Sequence, residues 1–261
     1  MSPNRQGDGP VGFAVPISLS NTVAFVAEQH SNGVVLSTHW HDVDQLIYAA
    51  TGVAIVETAV GIWVVPPARA VWVPAATSHS IVMTGDVHLN SAYVRPGAAP
   101  IDRDRCCVVH VSPLLREVML RGTSTTRRPT DEAYDHLIAV FFDEVESAGL
   151  APLELPLPTD PRAREVAVAF LADTSQRLTR AQWAKRVNTS ERTLERLFAQ
   201  ETGTTLGRWQ TQARLLEALR LLATGESVTR VAVDVGFDTS SAFIAMFRRA
   251  LGTTPRRYFN N

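Results

Sequence analysis

A chain of 261 residues is long enough for two domains, each burying its own core. Its formal net charge is −1, and it has no apolar run near the ~18 residues a membrane helix needs, which argues against a spanning protein. The charge is unevenly spread: residues 162–261 hold 16 Arg and Lys against 9 Asp and Glu, a net of +7, whereas residues 1–161 hold 9 against 17, a net of −8. That asymmetry fits a nucleic-acid-binding end joined to a part with another task, although ordinary surface variation also produces it.

Residues 1–10 carry no apolar stretch and are not expected to be a signal peptide. From about residue 22 to 111 the sequence consists of short runs rich in Val, Ile, Trp and Tyr: TVAFV at 22–26, QLIY at 45–48, GIWVV at 61–65 and AVWV at 70–73. Turn formers at 31–33, 66–67 and 85–86 separate them, which is the spacing of a β-sandwich or barrel. His39 and His41 flank Trp40, so on a strand both imidazoles point to one face, and a third, His79, comes from a separate segment. Three imidazoles converging inside a barrel suit Zn, Ni or Fe. The alternative is that they are the hydrogen-bonded polar lining of an organic-effector pocket. Trp40, Tyr48, Trp63 and Trp72 are candidate lining residues for that pocket, core packing being the other reading of each. Cys106 and Cys107 are adjacent, poorly placed to staple a fold, and read as strand fillers in a reducing cytoplasm.

Helical patterns follow. Ser112 is a capping residue ahead of Pro113, and residues 131–147 place Tyr134, Leu137, Ile138, Phe141, Phe142 and Val145 at helical spacing. Two such amphipathic helices either cover the barrel or meet a second copy of the chain in a homodimer. Residues 151–161 contain four prolines and are expected to be an extended linker between a domain at 1–150 and one at 162–261.

Beyond the linker one pattern occurs twice, at 178–198 and 228–247: a short helix, a tight turn, then a helix opening on Ser or Thr and ending near Phe. This is a helix-turn-helix unit, whose second helix lies in the DNA major groove. In the first unit Thr179 and Gln182 form a capping box, Asn188 and Thr189 the turn, and Ser190 the cap of the recognition helix. Leu194, Leu197 and Phe198 share one face, and Arg192, Glu195 and Arg196 the other. Arg can grip guanine with two hydrogen bonds and Glu can accept from cytosine; a solvated charged face is the bland alternative. In the second unit Gly236 makes the turn, Phe243 and Phe247 anchor the helix, and the outward positions are Ser240, Ser241 and Ala245, with Arg248 and Arg249 behind them. Small side chains cannot form a bidentate fork, so this unit reads as more of a backbone clamp. Residues 206–223 read as one helix of ~27 Å, suited to holding two recognition helices one duplex turn (~34 Å) apart.

Gly236-Phe237, the Phe243, Phe247 and Arg249 spacing, and the ending GTTPRRYF at 252–259 resemble the DNA-binding domain of the AraC/XylS transcription regulators. The resemblance covers residues 162–261 and implies base contacts by the outward residues just named. The pattern Gly33-x5-His39-x-His41-x3-Gln45-x6-Gly52 resembles the first cupin motif with Gln for Glu. Pro74-x-Ala76-x2-His79 resembles the second, with Ala for Gly and Met83 for Asn. Together they imply a two-domain fold, an N-terminal all-β cupin-like barrel with appended helices and a C-terminal all-α double helix-turn-helix. The expected function is a cytoplasmic regulator that binds double-stranded DNA. It would respond to a small molecule, or to a metal on His39, His41, His79 and Gln45, and meet RNA polymerase if it activates. Neutral Gln45 favours Zn or Ni over Mg or Ca. The competing readings are a cupin metalloenzyme fused to a DNA-binding module and a constitutive DNA-binding protein with a vestigial barrel.

Overall fold

The computed structural model describes residues 13–14, 22–99, 104–124 and 131–259; the first ten residues, with the signal-peptide question, lie outside it. Period-two patterning in the first half yields β1 (Phe13–Ala14), β2 (Val23–His30), β3 (Val35–Trp40), β4 (Asp44–Glu57), β5 (Gly61–Val65), β6 (Arg69–Val73), β7 (His79–Val94) and β8 (Cys107–His110). The long strands β4 and β7 pair along their length, from Asp44↔Val94 to Glu57↔Ser80, and each changes its other partner halfway. The first half of β4 pairs with β6 and the second with β5, while β7 pairs with β3 at its start and β2 at its end. The ladder shifts register between Ala49 and Val53, around Gly52 at φ +68. A Cβ on Gly52 would stand 2.8 Å from Val87 Cγ2 and 2.9 Å from the Asp86 carbonyl, so only glycine allows this approach. The irregularity curls the sheet into two leaves, as bulges do. The cupin-like barrel is thus a curled sheet, and among the described residues no pairing closes it into a ring.

Alternation along the strands gives this sheet two apolar faces. Gln45 and Ile47 face inward; Leu46 and Tyr48 face the other way, in a cluster with Ala70, Trp72, Ala92 and Val109. That outer cluster is covered by α1 (Pro113–Gly122) and α2 (Asp131–Ser147) through Leu115, Met119, Phe141 and Val145, all buried. The α1 start is as the sequence implies: Leu115 N donates to Ser112 Oγ at 2.9 Å, with Pro113 in the first turn. The apolar stripes of both helices are therefore occupied by their own sheet. Leu114 on α1 stays exposed, and Tyr134, Leu137, Val140 and Phe142 on α2 are only partly buried.

The prolines of 151–161 do hold the chain extended, but against the sheet. β9 (Glu154–Pro156) pairs with β5 through Ile62↔Leu155, and Leu153 and Leu155 are buried. The helices that follow are α3 (Pro161–Ala172), α4 (Arg180–Arg186), α5 (Glu191–Thr202), α6 (Leu206–Ala223), α7 (Val228–Asp234), α8 (Ser240–Leu251) and α9 (Pro255–Phe259). They dock on the outer face of β4, β5 and β9. Ile55, Ile62, Val64 and Leu155 meet Leu171, Ala213 and Leu216 around a cavity of about 180 Å³. Trp209 Nε1 donates to the Pro156 carbonyl at 2.8 Å, Arg164 Nη1 to Ala59 at 3.2 Å, and Gln212 Nε2 to Pro152. Gly85, at φ +73, lies inside β7 against Ala223 at the end of α6, so 85–86 bends one strand where a turn between two is expected from the sequence. No helix among the described residues is long and apolar enough to cross a membrane.

Candidate functional site

The helical half repeats one construction. In the first unit α4 leads through Asn188, at φ +51, to α5; in the second α7 leads through Gly236, at φ +84, to α8. Short polar Asn tolerates the left-handed region. Gly236 has no substitute, since a Cβ there would also stand 3.0 Å from Ser175 Cα. Equivalent backbone bonds close both turns: Thr189 N to Ala184 O at 2.9 Å, and Phe237 N to Ala232 O at 2.8 Å. Both expected caps form. Thr179 and Gln182 make a reciprocal capping box, and Thr193 N donates to Ser190 Oγ at 3.1 Å. The second recognition helix is capped by Thr239, whose Oγ1 accepts from Ala242 N at 3.2 Å. Leu194, Leu197 and Phe198 bury the inner face of α5, and Phe243 and Phe247 that of α8.

The outward faces differ from expectation at two points. Arg192 and Arg196 are exposed, with Arg196 Nη1 donating to Gln200 Oε1 at 2.7 Å within the helix. Glu195 is half-buried and engaged: Oε2 accepts from Leu206 N at 3.3 Å, and Oε1 lies 3.4 Å from Arg180 Nε. It ties α5 to α4 and to the start of α6, so reading a cytosine would require breaking these contacts. On α8, Ser241, Ala245, Arg248 and Arg249 are exposed, but Ser240 is half-buried. Three residues before Phe243, it sits only about 60° around the helix from that anchor, and exposed Ala242 takes the outward place.

In the sheet half the three histidines converge. His39 on β3 pairs with His79 at the start of β7, and His41 follows two residues after His39. Ring centroids are 4.4 Å apart for His39 and His79, 5.2 Å for His41 and His79, and 6.1 Å for His39 and His41. All three are buried, and one nitrogen from each lies within 4.8 Å of the others. Each Nδ1 is tied to a backbone carbonyl two residues away: His39 to Ser37 at 2.8 Å, His41 to Val43 at 2.7 Å and His79 to Thr77 at 2.8 Å. A carbonyl only accepts, so each Nδ1 carries a proton and Nε2 is the nitrogen through which each ring could reach an ion; that of His41 lies 2.8 Å from the Gln45 amide. His79 Nε2 is buried without a hydrogen-bond partner. Burial pushes the His79 pKa down to about 4; the neighbouring His39 and His41 act in the same direction and the Thr77 bond opposes them. Buried imidazoles with one nitrogen tied back are the donor set that Zn or Ni takes.

Local sequence explains this placement. Ala76 has φ +58, the conformation for which the motif's glycine is suited, and its N–H donates to the His41 carbonyl at 2.8 Å. Ala75 N donates to Asp44 Oδ1 at 2.8 Å, so Asp44 anchors the turn that presents His79. Of the four aromatic pocket candidates, Tyr48 and Trp72 lie under α1 and α2, away from the imidazoles. Trp40 alternates with the two histidines and faces away from them. Trp63 shares the imidazole face, because His79 and Ile81 are two apart on β7, Ile81 pairs with Val56, and Val56 with Trp63. Ser91 and Tyr93 escaped sequence reasoning: the Gln45 amide is 2.9 Å from Ser91 Oγ, and the Tyr93 ring is edge-on to His41 at 5.5 Å.

A helix-turn-helix domain model matches residues 183–261. Over 237 residues the chain is 34% identical to the HTH-type transcriptional regulator NimR of Escherichia coli strain K12, across 90% of this chain and 86% of that protein. The chain belongs to the AraC/XylS family of transcription regulators. An alignment of that extent runs through the sheet half as well as the helical half of this AraC/XylS regulator. The HTH-type transcriptional regulator RipA of Corynebacterium glutamicum is 34% identical over 103 residues, 40% of this chain and 31% of that one. Among solved structures, ToxT of Vibrio cholerae aligns at 12% identity and a TM-score of 0.39, over 92% of this chain and 97% of that one. As an AraC/XylS regulator the protein binds DNA through its paired helix-turn-helix units.

Proposed function

We propose that this regulator reads its DNA site mainly through Arg192 and Arg196 on α5, uses α8 as the weaker reader, and is switched by a divalent transition metal, Zn or Ni. His39, His41 and His79 hold the metal. The observation that carries the metal reading is the meeting of three buried imidazoles, each with Nδ1 tied to a carbonyl. Bound there, the ion would supply a positive charge and link β3, β7 and the loop that carries His41. β7 runs from His79 through Gly85, which lies against the end of α6, and α6 joins the two helix-turn-helix units. That continuity supports coupling of occupancy to DNA binding. The sensor reading is preferred to the cupin enzyme because the named relatives are transcription regulators and Gln45 stands where cupin enzymes place a carboxylate.

Metal content of the purified full-length protein after equilibration with Zn or Ni, then gel filtration, tests the site. About one ion per chain is expected, and His41→Ala or His79→Ala should cost more than the about 10–100-fold in affinity that outer-shell changes cost. Full metal content in His41→Ala would overturn the metal and leave the histidines as the polar lining of an organic-effector pocket.

A further inference from the structure

Gln45 is the residue whose place in the site is least like that of a ligand. It is buried, at 2% exposure, on the inward face of β4, and both polar atoms of its amide are already engaged. One end lies 2.8 Å from His41 Nε2 and the other 2.9 Å from Ser91 Oγ, itself buried on β7. His41 Nδ1 is held by the Val43 carbonyl at 2.7 Å, so Nε2 is the one ring nitrogen through which His41 can reach an ion. With Nδ1 carrying the proton, Nε2 can only accept, so the Gln45 amide occupies it with an N–H turned toward His41 and its oxygen toward the Ser91 hydroxyl; the opposite orientation would need a second proton on the ring.

We infer that Gln45 is a clamp on His41 rather than a fourth ligand: its amide competes with the metal for His41 Nε2, with Ser91 holding the clamp in place. This rests on the metal reading of the imidazole cluster and sets its affinity and selectivity. An ion entering between His39 and His79 must displace the amide from His41. The pairing Ile47↔Ser91 and Gln45↔Tyr93 fixes Ser91 beside Gln45, so the clamp cannot swing away without first losing the Ser91 bond. The device raises the metal concentration at which the site fills and favours ions with strong preference for imidazole nitrogen.

The two roles of Gln45 predict opposite signs. Zn and Ni affinities of the full-length protein, measured by competition with a chromophoric chelator, should rise about three- to tenfold in Gln45→Leu, the worth of one buried hydrogen bond. Leu keeps the volume and removes both polar atoms. Ser91→Ala, which leaves Gln45 in place but unties it, should shift affinity the same way by a smaller factor. Thermal unfolding of each variant verifies that the sheet is intact. Weaker binding in Gln45→Leu would make Gln45 a ligand, and unchanged binding a bystander; either overturns the clamp while leaving the metal site standing. Binding by neither wild type nor variants would remove the metal reading and the clamp together. A wild type that fails to bind beside a Gln45→Leu protein that does bind would be the clamp at full strength.

Discussion

Trp209→Ala should lower the stability of the helical half by about 3–5 kcal/mol, the usual cost of truncating a buried tryptophan. The side chain is fully buried at the start of α6, with ring centroids 5.5 Å from Phe198 and 6.2 Å from Phe170. It therefore joins α3, α5 and α6 at one point. Its indole N–H also donates to the Pro156 carbonyl on β9, so the same residue fastens the helices to the sheet. Trp209→Phe separates the two contributions, keeping most of the packing and losing the hydrogen bond, worth about 0.5–1.5 kcal/mol. Urea unfolding of the full chain followed by tryptophan-independent circular dichroism gives both numbers. DNA affinity should fall in the alanine variant as well, because α5 rests on Trp209 through Phe198. A loss below about 1 kcal/mol in Trp209→Ala would mean that this junction does not hold the helical half together.

Arg196→Ala should weaken binding to the specific DNA site by about 1–3 kcal/mol and relax base preference at one position, as expected for an arginine gripping guanine. Arg196 is exposed on the outward face of α5, and its partner there, Gln200 on the same helix, competes only weakly with a base. Ser241→Ala on α8 should cost less, because a single hydroxyl makes at most one useful contact. Binding to specific and random DNA, each across a salt series, distinguishes the roles. Equal losses on both, with the salt slope reduced by about one, would assign Arg196 to a phosphate instead.

The double helix-turn-helix was legible in the sequence because its signals are local. Caps at Thr179 and Ser190, turn residues at Asn188 and Gly236, and helical spacing of Phe243 and Phe247 each act within a few residues. The packing of Glu195 and Ser240 is not legible for a related reason. A helical wheel shows which face a residue shares, but not that Leu206 N on another helix waits for a carboxylate. The sheet half was less legible because its partners are distant in sequence. Strand parity alone separates Tyr48 from Gln45, three residues apart, and Trp40 from the histidines on either side. Nothing local shows that a helix pair covers Tyr48 and Trp72, or that β9 forms from the proline-rich segment. Ser91 could be placed beside Gln45 only once β4 and β7 were known to pair.

Whether the imidazole cluster governs DNA binding is decided by one titration. The affinity of the full-length protein for a site selected from random-sequence DNA is measured with metal removed by chelator and again at saturating Zn or Ni, for wild type and His79→Ala. A shift of several-fold or more is expected in wild type, in the range of ordinary coupling between two sites, and none in His79→Ala. Identical affinities in wild type with and without metal would contradict it.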